Sequence, residues 1–75
     1  MSQKRLRQYS LVKFDYKSFD KKFHKLYPFV ENRPYIFLGE IPNMPEHCIV
    51  IDHQSGQIHS GFHTEDFVEL TEDEL

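Results

Sequence analysis

Apolar and polar residues first alternate regularly after a polar stretch that covers residues 1–9. Val12, Phe14 and Tyr16 alternate with Lys13 and Asp15. Strict alternation is typical of a strand with one face in the core and the other toward solvent. The pattern therefore predicts a half-buried first strand that begins near residue 10.

The next segment has a helical rather than a strand-like period. Its apolar residues recur at spacings of four, three, one and three, and the lysines lie between them. The apolar stripe is Phe19, Phe23, Leu26, Tyr27 and Val30, and the lysines are Lys21, Lys22 and Lys25. This spacing predicts an amphipathic helix over residues 19–26, which Pro28 ends.

Residues 35–70 contain the signals of further strands. Residues 35–41 are apolar on both faces, as in a central strand, and Gly39 indicates either a bulge or a close backbone approach there. The breakers in residues 42–46 predict a loop, and residues 48–52 predict another strand. Ser55-Gly56 predicts a tight turn that returns the chain over residues 57–62.

The register of this hairpin follows from the length of its turn. A two-residue turn at Ser55-Gly56 places Ile51 opposite Ser60. One face then holds Ile49, Ile51, Ile58 and Phe62, and the other holds Cys48, Val50, Asp52, His59, Gly61 and His63. This clean division favours the two-residue turn and predicts that the isoleucine face lies in the core. A three-residue loop with a glycine bulge is the alternative, and it separates the faces less well.

The end of the chain completes an order of elements that resembles small SH3-like barrels. Residues 64–67 predict one 3₁₀ turn and residues 68–70 a closing strand. SH3-like barrels also have a first strand, a long first loop and three meandering strands, so the resemblance covers about residues 10–70. It implies an α+β, mostly β fold: a small antiparallel barrel of about five strands with one short helix in the first long loop.

The resemblance also implies classes of partner. SH3-like barrels bind proline-rich peptides, other proteins or nucleic acids. Members that bind proline-rich peptides carry a Trp at the start of the third strand, and this chain has no Trp. The expected partner is therefore another protein or a nucleic acid.

Length and composition indicate one domain of 75 residues. We expect a basic flexible tail at residues 1–9, a single domain at residues 10–70 and an acidic flexible tail at residues 71–75. A single cysteine excludes an intrachain disulfide, which suits a reducing compartment. Apolar runs stay well below the ~20 residues of a membrane-spanning helix. The expected location is cytoplasmic, with no membrane partner.

Charge is divided unequally along the chain. All nine Lys and Arg residues lie at positions 1–33 together with three carboxylates, which gives +6. Residues 34–75 hold nine carboxylates and no Lys or Arg, which gives −9. Such asymmetry steers a molecule toward charged partners, and it also lets the two parts of one chain attract each other.

Five histidines and one cysteine are the residues with potential for metal binding or catalysis. The predicted hairpin places Cys48 opposite His63, with His47 beside them, and Asp52 opposite His59. At most three metal ligands converge, with a spacing unlike that of zinc fingers. Ser60 neighbours His59 but points to the opposite face, so no nucleophile joins the Asp52–His59 pair. We expect no cofactor, no metal and no enzymatic activity.

Two surfaces remain as candidates for binding. A stiff loop and the lysine face predict a protein-binding surface that consists of Pro42, Met44, Pro45, Lys21, Lys22 and Lys25. The basic beginning of the chain predicts an alternative nucleic-acid surface that consists of Lys4, Arg5, Arg7, Tyr9 and Tyr27. The favoured function is a small non-enzymatic interaction or regulatory module that docks on a larger protein or complex. The alternative is a small RNA- or DNA-binding barrel.

Overall fold

Five antiparallel strands form one sheet in a computed structural model that describes residues 6–74. The strands are β1 (Leu11–Phe14), β2 (Tyr35–Ile41), β3 (Met44–Asp52), β4 (Ile58–His63) and β5 (Phe67–Glu69). Their order across the sheet is β4-β3-β2-β1-β5. The prediction of a mostly β, antiparallel fold with about five strands is confirmed. Within residues 6–74 the two edge strands do not pair with each other, so the sheet is open.

The predicted helix over residues 19–26 is wrong. The chain instead forms two 3₁₀ segments, Tyr16–Ser18 and Lys21–Leu26. A 3₁₀ helix repeats every three residues, so a stripe with α-helical spacing does not stay on one face. Phe19 and Tyr27 pack against the core, whereas Leu26 is 70% exposed. No helix among the described residues is long and apolar enough to cross a membrane.

The core is built mainly from aromatic rings on one face of the sheet. Phe14 lies at its centre, with ring centroids 4.7 Å from Tyr16, 4.9 Å from Phe29 and 5.3 Å from Phe67. The fully or nearly buried residues are Val12, Phe14, Tyr16, Phe29, Tyr35, Phe37, Cys48, Val50 and Phe67. Such edge-to-face and offset ring pairs add to the burial of apolar area. The long connection from β1 to β2 therefore contributes to the core through Phe29 as well as through Phe19 and Tyr27.

A two-residue turn, rather than the predicted five-residue loop, joins β2 to β3. Ile41 pairs with Met44, so the turn is Pro42-Asn43 and residues 44–46 belong to β3. The register shifts between Glu40 and Ile41, so the ladder is irregular where Pro45 contributes no N–H. The predicted bulge at Gly39 is confirmed by a register shift between Phe37 and Gly39.

The predicted register of the β3–β4 hairpin is also wrong. Ile51 lies opposite Ile58, and the turn comprises residues 53–56 instead of Ser55-Gly56 alone. The Asp52 N–H donates to the Gln57 oxygen and closes this longer loop. The Asp52 carboxylate accepts hydrogen bonds from the backbone N–H groups of Gln54 and Ser55. An aspartate that organises a turn in this way stabilises a longer loop than the Ser-Gly pair alone predicts.

The two faces of the hairpin are consequently reversed relative to the prediction. Val50 and Cys48 are buried, whereas Ile58 is 62% exposed. A bulge at Gly61, with a φ of +87°, shifts the register between Cys48 and Ile49. The bulge places Phe62 opposite Cys48, so Phe62 packs against the core. In a regular strand Phe62, three residues after His59, would point to the opposite face from His59; the extra residue in the bulge puts both on the core face. Of the four residues predicted to form the core face, only Phe62 packs there.

The 3₁₀ segment Thr64–Asp66 precedes β5, as predicted for the end of the domain. Thr64 is buried, and its hydroxyl donates to the carboxylate of Glu40. The last strand pairs with β1 through Phe14 and Phe67. This pairing brings the end of the chain beside its first strand.

Ion pairs between described residues join the basic first part of the chain to the acidic remainder. Arg7 pairs with Glu69, Lys13 with Glu74 and Arg33 with Asp52. Each pair therefore links a cation from residues 1–33 to a carboxylate from residues 34–75. Part of the charge asymmetry is thus neutralised inside the fold.

Candidate functional site

The predicted protein-binding loop is the tip of the β2–β3 hairpin. Pro42, Met44 and Pro45 are all exposed, and the Met44 side chain is 43% exposed. Glu46, close to the tip, has a φ of +69°, in the left-handed region that residues other than glycine seldom adopt. The tip therefore displays an apolar thioether on a short and stiff connection.

The lysine face lies on the second 3₁₀ segment. Lys21, Lys22 and Lys25 are exposed, and the Lys22 Nζ lies 5.1 Å from the centroid of the Phe23 ring. His24 anchors the segment, because its Nε2 lies 3.1 Å from the carbonyl oxygen of Tyr16. The segment thus presents its cations to solvent while a histidine and Tyr27 hold its inner side.

The predicted nucleic-acid residues are separated by the fold. Arg7 donates to both carboxylate oxygens of Glu69, and Tyr27 stacks in the aromatic core 4.7 Å from Phe14. Tyr9 is 70% exposed. Lys4 and Arg5 lie outside the described residues. Among the described residues of this predicted surface, only the Tyr9 ring is exposed, and the Arg7 guanidinium is paired with a carboxylate.

The predicted opposition of Cys48 and His63 is wrong, because Phe62 lies opposite Cys48. The Cys48 thiol is buried, and burial raises its pKa to about 11 even though a hydrogen bond with Thr64 lowers it. A thiol of this kind is almost fully protonated at neutral pH, so it is a poor nucleophile and a poor metal ligand. Cys48 acts as a small core residue.

The two remaining metal-ligand candidates lie side by side. His47 pairs directly with His63 across β3 and β4, and their ring centroids are 4.4 Å apart. The His47 Nδ1 lies 3.0 Å from the carbonyl oxygen of Pro45. Among residues 6–74 there is no group of three or more His, Cys, Asp or Glu residues that could hold a metal ion.

The predicted opposition of Asp52 and His59 across the hairpin is wrong. His59 lies opposite Val50, and its ring packs 4.9 Å from Phe29. The Asp52 carboxylate instead accepts from the Arg33 guanidinium at 3.0 Å. Asp52 therefore binds the turn that follows β3 and Arg33 before β2, and it does not pair with a histidine.

An apolar surface on the outer face of the sheet was not predicted from the sequence. Direct pairing places Leu11, Ile36, Ile51 and Ile58 in one row across four strands. We call these four residues the aliphatic row. Leu11, Ile36 and Ile51 are partly buried, and Ile58 is 62% exposed. Ile49, two residues before Ile51 on β3, lies on the same outer face. Because directly opposed residues share a face, the row is continuous from β1 to β4.

The composition of the two faces differs sharply. The buried core contains no isoleucine or leucine among the described residues, although the chain has five isoleucines. Isoleucine and leucine are among the residues most often fully buried in folded proteins. A signal for this surface was present in the sequence, since strands that are apolar on both faces require a covering layer on each. The described residues bury the inner face more completely than the outer one.

Comparison with protein-family models, with curated proteins and with solved structures finds no match to this chain.

Proposed function

We propose that this protein is a non-enzymatic interaction module that docks on a larger protein or complex through the outer face of its sheet. The observation that carries the proposal is the aliphatic row. Contiguous apolar surface that remains in contact with water is costly, and such patches mark interaction sites in soluble proteins. A partner that covers the row gains the apolar burial that the chain itself leaves unused.

The size of the patch favours a larger partner over a second copy of the chain. Neighbouring strands lie about 4.8 Å apart, so the row from β1 to β4 is about 14 Å long, and three of its four residues are partly buried. A stable dimer buries about 800 Å² on each partner. The row therefore suits a short apolar segment or ridge that belongs to a larger interface.

The predicted binding surface adds to this proposal. Met44 supplies an adaptable apolar anchor at the hairpin tip, and thioethers fit irregular apolar surfaces well. Lys21, Lys22 and Lys25 supply a positive field that accelerates the approach of an acidic partner. In this proposal the aliphatic row supplies affinity, whereas the lysines affect mainly the rate of association.

Nucleic-acid binding is the second candidate function, and the exposed Lys21, Lys22 and Lys25 favour it. Phosphate contacts by lysine give binding that weakens steeply with salt. Three described cations, Arg7, Lys13 and Arg33, are already paired with carboxylates, which reduces the available positive charge. We therefore rank this function below protein binding.

We further propose that the fold is an open variant of the small SH3-like barrel. We also propose that the protein is located in the cytoplasm. The order of elements supports the first part, because three meandering strands lead through a 3₁₀ turn to a short strand beside β1. Bulges at Gly39 and Gly61 support it too, since bulges bend and twist strands. A buried free thiol at Cys48 is compatible with a reducing compartment.

A capture experiment with three matched proteins tests the interaction proposal. The wild-type chain, Ile58→Lys and the control Gln57→Lys are used as baits in lysate, with and without nuclease. Residues 57 and 58 are both exposed, and both variants add one positive charge. We expect partner proteins that survive nuclease with the wild type and with Gln57→Lys but are lost with Ile58→Lys. Circular dichroism confirms that the variants remain folded.

Two results would contradict docking through the aliphatic row. One is that Ile58→Lys retains every partner. The other is that both variants lose the same partners, which assigns the loss to charge. Recovery of nucleic acid, with all proteins lost after nuclease, would favour the second candidate function. In that case Lys21→Gln, Lys22→Gln and Lys25→Gln together should reduce the recovered nucleic acid.

A further inference from the structure

We propose that His47 and His63 form a two-histidine site for a divalent transition-metal ion, with Cu²⁺ as the ion bound most tightly. The two residues are direct cross-strand partners on β3 and β4. Their rings are held by adjacent strands rather than by a loop. The proposal is independent of docking through the aliphatic row.

The separation of the two rings fits binding of one ion. Two imidazoles on one metal, each with a metal–nitrogen distance of about 2.1 Å and at a cis angle of about 90°, have ring centres about 4.5 Å apart. The observed centroid separation is 4.4 Å. The two ring planes are inclined by 39°, so rotation of the exposed His63 ring is needed to direct both rings at one ion. The Irving–Williams order makes Cu²⁺ the divalent ion that such imidazole ligands bind most tightly.

A hydrogen bond prepares His47 for this role. Its Nδ1 lies 3.0 Å from the carbonyl oxygen of Pro45, and a carbonyl oxygen only accepts hydrogen bonds. Nδ1 must then carry the proton, so the lone pair of the neutral ring lies on Nε2. Histidine ligands commonly donate their second ring N–H to a backbone carbonyl, which sets the ring orientation. The His47 ring thus has the tautomer that a metal ligand needs.

Accessibility allows an ion to reach the pair. His63 is exposed and His47 is half-buried, so an ion can enter from solvent and the His63 ring can rotate toward it. The buried Cys48 does not take part, because its side chain faces the core, as does that of its cross-strand partner Phe62. Water molecules or a donor from another molecule complete the coordination. The site therefore prefers ions that bind imidazole and excludes Mg²⁺ and Ca²⁺, which need several oxygen ligands.

Titration of the untagged full chain with Cu²⁺ at pH 7.5 tests the proposal. Calorimetry gives the affinity, and paramagnetic broadening of imidazole NMR signals locates the ion. We expect broadening at His47 and His63 and at least a tenfold loss of affinity in His47→Gln and in His63→Gln. The matched control His53→Gln changes an exposed histidine in the β3–β4 turn and should retain the wild-type affinity.

The same measurements can overturn the site. Broadening that leaves both His47 and His63 unaffected would assign the ion elsewhere in the chain. An equal loss of affinity in His53→Gln would indicate non-specific binding to surface histidines. Retention of full affinity by either single variant would show that the two rings do not share one ion. Because the variants change surface residues, circular dichroism should show a wild-type fold in each.

Discussion

The guanidinium of Arg33 donates a hydrogen bond of 3.0 Å to the buried carboxylate of Asp52. The pair joins the connection that precedes β2 to the turn that follows β3. A backbone hydrogen bond of 3.3 Å from His53 to Pro34 lies beside it. Asp52 therefore organises its own turn and also ties that turn to a distant segment of the chain.

This arrangement predicts a specific dependence of stability on pH. Burial tends to raise the pKa of Asp52, but hydrogen bonds from the Gln54 N–H, from Arg33 and from Ser55 lower it to about 2. The pKa in the folded state thus lies below the ordinary value of 3.8. The ionised carboxylate stabilises the fold fully above about pH 4, and this contribution is lost as the pH falls toward 2.

Asp52→Asn should therefore flatten the decline of stability between pH 4 and pH 2. The free energy of unfolding, measured by urea denaturation at a series of pH values, reports this slope. Asp20→Asn is a suitable control, because the Asp20 side chain makes no capping hydrogen bond. Equal slopes for Asp52→Asn and the wild type would contradict the assigned role of Asp52.

The reversed faces of the β3–β4 hairpin predict an unusual order of substitution costs. Val50→Ala removes two buried methyl carbons and should lower the free energy of unfolding by about 2 kcal/mol. Ile58→Ala removes more apolar atoms from an exposed position and should change it by less than about 0.5 kcal/mol. Urea denaturation of the two variants distinguishes the faces. A larger decrease in the free energy of unfolding for Ile58→Ala than for Val50→Ala would instead support the register predicted from the sequence.

The bulge at Gly61 predicts a cost that comes from the backbone alone. Its φ is +87°, and a Cβ placed there would meet no atom within 4 Å. Gly61→Ala should therefore lower the free energy of unfolding by about 1–2 kcal/mol through its unfavourable left-handed conformation. Gly61→Asn should cost less, because asparagine tolerates that conformation better. Equal costs for the two variants in thermal or urea denaturation would indicate a packing effect instead.

The buried thiol predicts slow chemical modification of the folded protein. A pKa of about 11 leaves roughly one thiol in a thousand ionised at pH 8, and burial also blocks the reagent. Iodoacetamide should alkylate Cys48 at least about 100-fold more slowly in buffer than in denaturing urea. Mass spectrometry over time measures both rates. Similar rates would show that Cys48 is accessible in the folded state.

Local patterns in the sequence located the first two strands and the closing 3₁₀ turn. The apolar run and the breakers that follow it place β2 at residues 35–41, as the structure has it. The alternation at Val12 and Phe14 and the closing 3₁₀ turn were equally readable, because each depends on neighbouring residues. The unequal distribution of charge was also visible, and the fold uses part of it in ion pairs such as Arg7 with Glu69.

Only the tertiary structure decided which apolar face is covered. Ile49, Val50 and Ile51 are apolar in succession, so either alternate set could face the core. The turn organised by Asp52 and the bulge at Gly61 settle the register, and both depend on contacts that periodicity does not encode. The same register brings His47 beside His63 and leaves the aliphatic row outside. A shift of one residue in a strand exchanges its two faces, which is why the candidate surfaces could not be assigned from the sequence alone.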